Sequence, residues 1–218
     1  MKRNREPEWI DISVTIDPAT LPSWPGSPAV RLTPIHSLSE GEEWNETELG
    51  FSVHTGTHID APAHFVSGGG TVDEIAPDRL CGRCLVADLT GHAVVTEAAL
   101  EAAAIPPDTE RLLLKTDNSR RWGPEFDPGF TGLDEGAARW VVAQGIGLIG
   151  IDYLSIQAYT APYEVHRHLL GEGVIVLEGL CLDGIEPGIF ELVCLPLKLA
   201  GAEGAPARAV VRPWRERT

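Results

Sequence analysis

"SVHTGTHIDAPAHF", residues 52–65, carries His54, His58, Asp60 and His64, three of the chain's seven histidines, around a single glycine. All four positions are even, so an extended backbone aims them to one side. Full extension would still hold His54 and His58 roughly 13 Å apart, four residues at about 3.3 Å each. Two ligands of one ion, each bonded at about 2.0–2.2 Å, cannot stand so far apart. A helix also pairs positions four apart, but Thr55, Gly56, Thr57 and Pro62 oppose one. The stretch therefore reads as a strand ending near His54, a reversal at Gly56, and a further piece presenting His58 and Asp60. Imidazoles with a carboxylate are the usual ligands of zinc or manganese, with positions left open for water. A surface turn holding histidines by chance is the plainer alternative. Ser52 and Ser67 sit in no G-x-S-x-G elbow, which speaks against a serine nucleophile. The "GGG" at 68–70 lacks a following Lys and Ser/Thr, so it reads as a flexible loop and not a phosphate cradle.

A second clue lies far along the chain. "GVIVLEGL", residues 173–180, places Glu178 at the end of an otherwise apolar run. An isolated ionised carboxylate in a buried strand is costly and calls for a cation. No Lys or Arg lies between Arg167 and Lys198, so either a distant arginine or a metal ion must serve. His166 and His168 precede it on a short helical segment. Two apart, they point to different faces of a helix, so only one can join a site.

Around these clues the first third reads as strands at 9–16, 29–35 and 48–54, separated by Pro- and Gly-rich turns such as "LPSWPGSP". Strands follow at 83–89, 111–116, 146–152, 173–180, 190–199 and 207–213. Helices are expected at 96–105, capped by Thr96 and stopped by Pro106 and Pro107, and at 133–145, ending at Gly145. A short helix covers about 163–170 and stops at Gly171. Strands outnumber helices, and strand and helix alternate only in the second half. The pattern predicts one mixed α/β domain over residues 1–218 with a sizeable sheet, not a regular doubly wound one.

Composition excludes several partners. Asp and Glu exceed Lys and Arg by 32 to 17, a net charge of −15, the wrong sign for nucleic acid or an anionic membrane. "MKRNREPEWI" has basic residues without an apolar stretch behind them, so it is no secretory signal. No apolar run is long enough to span a bilayer, and a cytoplasmic location is expected. "CGRC" at 81–84 invites a zinc or redox reading, but Cys181 and Cys194 form no matching pair. Free cysteines in a core strand explain it better.

"HTGTHIDAPAHF" resembles the signature of the cyclase family of metal-dependent hydrolases, which includes kynurenine formamidases and isatin hydrolases. The likeness extends over nearly the whole chain, through "IDISVTIDPATLPSWPG", "GIDYLSIQ" and the segment from "HRHLLGEGVIVLEGL" onward. It implies a swivelling β/β/α-type fold with a mixed sheet, a homo-oligomer (dimer or tetramer), and either two Zn2+ per subunit or Mn2+. By resemblance, His54, His58 and Asp60 bind the first ion, and Asp60 bridges to a second held by His166 and Glu178. The formamidases' twelve-residue spacing from His to Glu is what selects His166 over His168. His64 is then the proton shuttle beside the activated water. The resemblance implies a small aromatic amide as substrate, N-formylkynurenine first. A lactam or lactone such as isatin is the alternative, and a catalytically silent metal-binding protein a third. One departure bears on the substrate: Leu154 and Gln157 stand where formamidases tend to carry Pro and an acidic residue.

Around that site, Trp24 and Phe65 are candidates to sandwich an aromatic ring, or Trp24 simply packs over a turn. Asp152 and Ser155 either orient ligands or cap a turn. Arg120 and Arg121 in "SRRW" either greet a carboxylate or belong to a solvated loop.

Overall fold

Side chains alternate across short strands in this molecule, and that alternation sorts the chain into an inside and an outside. The computed structural model describes residues 8–216; the basic start of "MKRNREPEWI" lies outside them. The strands are β1 (Ile10–Asp11), β2 (Arg31–His36), β3 (Glu46–Gly50), β4 (His58–Asp60), β5 (Cys81–Asp88), β6 (Arg111–Lys115), β7 (Leu148–Ile151), β8 (Ile175–Glu178), β9 (Gly188–Pro196) and β10 (Gly204–Pro213). The helices are α1 (Pro77–Leu80), α2 (Glu97–Ala102), α3 (Glu135–Ala143) and α4 (Glu164–Gly171).

From β5 to β8 the chain alternates strand and helix, and these four strands run parallel to their neighbours. Antiparallel pairings of β8 with β4, β4 with β10, β10 with β9 and β9 with β5 then close the sheet into a ring of seven strands. The architecture is thus mixed α/β with a closed barrel, and the closure is what the linear pattern did not announce. One core collects alternate residues of these strands inside the ring, among them Ile59, Val86, Leu113, Leu177, Leu192 and Val211. A second core lies between the outer face and the helices, where Leu112, Leu114, Ile149 and Val176 meet Ala137, Val141 and Leu169. A period of two on the strands and of 3.6 on the helices produces both layers.

The helix boundaries follow their caps. Thr96 accepts from the Ala99 amide at 3.2 Å, and Asp134 from the Ala137 amide at 2.8 Å. Gly145 takes φ +74° just past α3, a conformation that closes a helix at little cost.

Two strand expectations are corrected. Of 9–16, only Ile10–Asp11 is strand, because the following amides bond to side chains: Ser13 N–H to Asp11 and Val14 N–H to Thr57 Oγ1. Of 48–54, the strand ends at Gly50, where its hairpin partner β2 begins at Arg31. Residues 51–57 are turn, and that turn delivers His54.

The "CGRC" pair lies on β5, with Cys84 in the inner core and Cys81 packed against it. All four cysteines are free, and burial pushes the Cys84 thiol up to about 12. Among the described residues no helix is long and apolar enough to cross a membrane.

Candidate metal centre

His58 and Asp60 occupy alternate positions of β4, so both face away from the barrel while Ile59 between them enters its core. Pairing with β8 sets His58 opposite Glu178 and Asp60 opposite Val176. The junction is tied by Thr57 Oγ1, which donates to the Gly179 carbonyl at 2.5 Å across 122 positions of sequence. Gly179 has φ +72°, and a Cβ there would collide with the Gly56 carbonyl, so only glycine allows the approach. Gly56 itself, φ +63°, makes the reversal that returns His54 to the site. The His54 and His58 rings are 5.2 Å apart, far closer than an extended chain allows. Helix α4 covers this face and contributes His166, buried; His168, two residues on, is only half-buried and stays outside the cluster.

Five side chains converge in two overlapping groups, His54–His58–Asp60 and Asp60–His166–Glu178, each with ligand atoms within 4.8 Å of one another. Asp60 belongs to both. His54 Nδ1 donates to Asp60 Oδ1 at 2.8 Å, and His166 Nε2 donates to Glu178 Oε1 at 3.0 Å. His58 Nδ1 donates to the Gly56 carbonyl at 2.8 Å, which turns Nε2 toward Asp60 and Glu178, each at 3.4 Å. Neither contact is a hydrogen bond. His58 Nε2 and Asp60 Oδ2 are buried without a partner. In the neutral ring a lone pair would face two carboxylates, an arrangement that needs positive charge between them. Spacings of 3.0–3.8 Å between these atoms suit donors gathered on ions bonded at about 2.0–2.2 Å. The residues present therefore fit a divalent cation.

The titration of the same groups tells the same story. Burial opposes charge on His58, yet Asp60 and Glu178 outweigh it and raise the ring to about 10. Burial likewise opposes charge on Asp60, and the His54 and His58 contacts hold it well below the usual carboxylate range. Glu178 is lowered too, its burial and the nearby Asp60 charge being overcome by His166 and His58. The backbone amide of Ile156 donates to Glu178 Oε1 at 2.7 Å and fixes its direction. The distant arginine that might have served Glu178 is not what the structure uses.

Beside the cluster opens a cavity of about 260 Å³, lined by His54, His64, His166 and Glu178 together with aromatic residues, serines, Leu154 and Gln157. His64 ends a short 3-10 turn begun at Pro62 and stacks on His54 at 3.9 Å. Burial holds it below its ordinary value, with Asp60 opposing in part, so at neutral pH it can accept a proton. Phe65 stacks on His166 at 4.7 Å, and Trp24 also lines the cavity, within a cluster of Phe126, Phe130 and Tyr159.

The "Putative cyclase" family model matches residues 10–158. The chain belongs to the cyclase family. Cyclase-like protein 2 of Oryza sativa subsp. japonica is 39% identical over 184 residues, covering 80% of this chain and 68% of that one. A solved structure described as a potential metal-dependent hydrolase with cyclase activity superposes with a TM-score of 0.82 at 32% identity, over 96% of this chain and 99% of its own. Isatin hydrolase A from Labrenzia aggregata, bound to benzyl benzoate, gives 0.79 at 25% identity, over 95% and 94%. The fold is that of cyclase-family metal-dependent hydrolases.

Within this cyclase-family frame the structure brings together His54, His58, Asp60, His64, His166 and Glu178, and sets Trp24 and Phe65 on the cavity wall. Asp152 does not join them. Its carboxylate accepts from the backbone and hydroxyls of Thr116 and Ser119, so it anchors a turn. Ser155 does line the cavity. Arg120 and Arg121 pair with Asp117 and Asp127 and line no part of it. Sequence reasoning missed Tyr159 and Tyr163, which line the cavity from the loop that leads into α4. It also missed Gly204, packed so closely on His54 Cε1 that a Cβ would sit 3.0 Å from it. Nothing in a lone tyrosine or glycine marks it, although Gly204 opens a strand, a place where close approach is common.

Proposed function

We propose that this chain, working as one catalytic domain over residues 1–218, is a divalent-metal-dependent hydrolase that cleaves an amide C–N bond on an aromatic substrate. The observation that carries the reading is the pair of ligand groups sharing Asp60, with buried unpartnered donor atoms, at the wall of an aromatic-lined cavity. Two groups meeting on one carboxylate support two zinc ions per subunit. Manganese is compatible with the same ligand types.

A divalent cation held there would supply the means to lower the pKa of water to about 7 and to polarise a carbonyl oxygen. His54, His58 and Asp60 would hold one ion, and Asp60, His166 and Glu178 would hold the other. His64 takes the proton of the attacking water on a ring nitrogen and delivers it to the departing nitrogen. An aniline-type leaving group departs only once protonated, so that delivery is required. Phe65 and Trp24 flank the aromatic ring and exclude water from one side.

An aryl formamide is the first substrate class for this reading, with N-formylkynurenine the first compound to assay. The likeness to an isatin hydrolase favours a second reading, a cyclic aryl amide such as isatin. The β2–β3 hairpin carries Leu32, Ile35, Trp44 and Leu49 exposed to solvent, which supports a homo-oligomer. A cytoplasmic setting is the expectation carried over from the sequence. The test is hydrolysis of N-formylkynurenine and isatin in parallel by metal-reconstituted protein. Turnover of either that a chelator abolishes supports the reading. Metal-loaded protein silent on both, and on simple aryl formamides, overturns it.

A further inference from the structure

Gln157 is one of the two positions at which this chain departs from the formamidase pattern, and the structure sets both Gln157 and Leu154 on the cavity wall. Gln157 is buried, only 3% exposed, and its two ends are unequally served. Its Nε2 donates to the Ala161 carbonyl at 3.1 Å. That carbonyl can only accept, so the amide orientation is fixed by chemistry and Oε1 is the free end. Oε1 is buried with no hydrogen-bond partner. The backbone is equally fixed. The Gln157–Ala158 segment presses on Gly132 so closely that a Cβ there would overlap it, and the Gln157 amide donates to Ser155 Oγ at 3.2 Å. Gln157 lines the cavity as a residue, and its buried, preorganised, unpaired Oε1 is costly unless something donates to it.

The rest of the wall says what kind of donor. Among the described residues lining the cavity there is no Lys or Arg, and the one carboxylate, Glu178, already takes the Ile156 amide and His166. Arg120 and Arg121 are engaged elsewhere. A substrate arm bearing an ammonium and a carboxylate would find no lining side chain free to pair with either group, and would lose its hydration on entry.

Resting on the hydrolase reading above, we propose that Gln157 Oε1 is the specificity-determining acceptor of this cavity. It takes the N–H of an uncharged aromatic amide, and it thereby disfavours substrates that carry a zwitterionic amino-acid arm. Leu154 completes the apolar wall against which such a ring lies.

The test compares isatin with N-methylisatin on the metal-loaded wild type and on Gln157→Met, reading kcat/KM and equilibrium binding by tryptophan fluorescence. Intrinsic reactivity cancels when the isatin-to-methylisatin ratio is compared between the two proteins. That ratio is expected to fall on the order of 10-fold or more in Gln157→Met, most of it in KM. Thermal unfolding of the variant establishes that it is folded. Gln157→Glu, which keeps the acceptor and adds a charge, is the second arm. It should bind isatin less well and gain on N-formylkynurenine, whose ammonium then has a partner. A ratio unchanged by Gln157→Met, or a wild type that prefers N-formylkynurenine to isatin, overturns the proposal while leaving the hydrolase reading intact. Binding that depends on Gln157 and on the N–H, without any turnover, supports the acceptor role and overturns the hydrolase reading. Protein that neither binds nor hydrolyses either compound overturns both.

Discussion

Ile59 and Leu177 on one face of the β4–β8 pair are sealed inside the barrel, whereas His58, Asp60 and Glu178 on the other face meet α4. Both faces are buried, yet they are held by different physics. The inner face gains from removing apolar surface from water, which is non-directional and tolerant of small shifts. The outer face buries charge, which is tolerable only while each group keeps its opposite partner in place. One backbone register serves both. A slip by a single residue would send the carboxylates into the barrel and the aliphatics onto the site, so the apolar core also sets the geometry of the candidate centre.

That comparison can be broken most severely from the polar side. Asp60→Ala or His58→Ala should reduce bound metal to background and abolish turnover, beyond the roughly 100-fold that changes behind a ligand produce. Elemental analysis of the purified variants checks this, and full occupancy in either would remove that residue from the ligand set. His64→Ala should keep the metal yet lose turnover by about 10²–10⁴-fold, the size of a general acid–base contribution. Steady-state kinetics at equal metal content reads it, and an undiminished kcat would take His64 out of the mechanism. From the apolar side, Leu177→Ala should cost about 2–5 kcal/mol of stability in urea while its folded fraction still binds metal at the parental stoichiometry. Loss of metal from folded Leu177→Ala would mean that the two faces are not separable.

The smallest effect concerns protons. In the metal-free site His58 is raised from 6.5 to about 10. Its contribution to stability is therefore fully present below 6.5 and fades as the pH climbs through about 10. A cation must displace that proton, so metal affinity should rise by about tenfold per pH unit for each proton released. Metal-free protein thus weakens across this interval while metal binds more tightly. Titration calorimetry in buffers of different ionisation enthalpy would expose the released proton, and a pH-independent affinity would contradict the assignment.

The two faces also differ in how far the sequence announces them. Runs such as "RLLLK" and "IVLE" declare buried strands, and the Thr96 cap marks a helix start within a residue or two. "HTGTHID" declares ligands because Gly56 is the only residue in it able to fold the chain back. Glu178 is legible because an acid cannot end an apolar strand without a counter-charge. Ring closure is not legible, since it depends on β10 pairing with both β4 and β9, contacts that no local period encodes. Tyr159, Tyr163 and Gly204 are hidden for the same reason: each matters through what approaches it from elsewhere in the chain. The first-third strands at 9–16 and 48–54 were overextended because side-chain acceptors and a short hairpin partner ended them early.

The most direct measurement is anomalous diffraction at the zinc edge from crystals equilibrated with excess zinc. The account predicts density bounded by His54, His58 and Asp60, and a second feature on the far side of Asp60 against His166 and Glu178. A map with no anomalous signal between β4, β8 and α4 under saturating metal would contradict it.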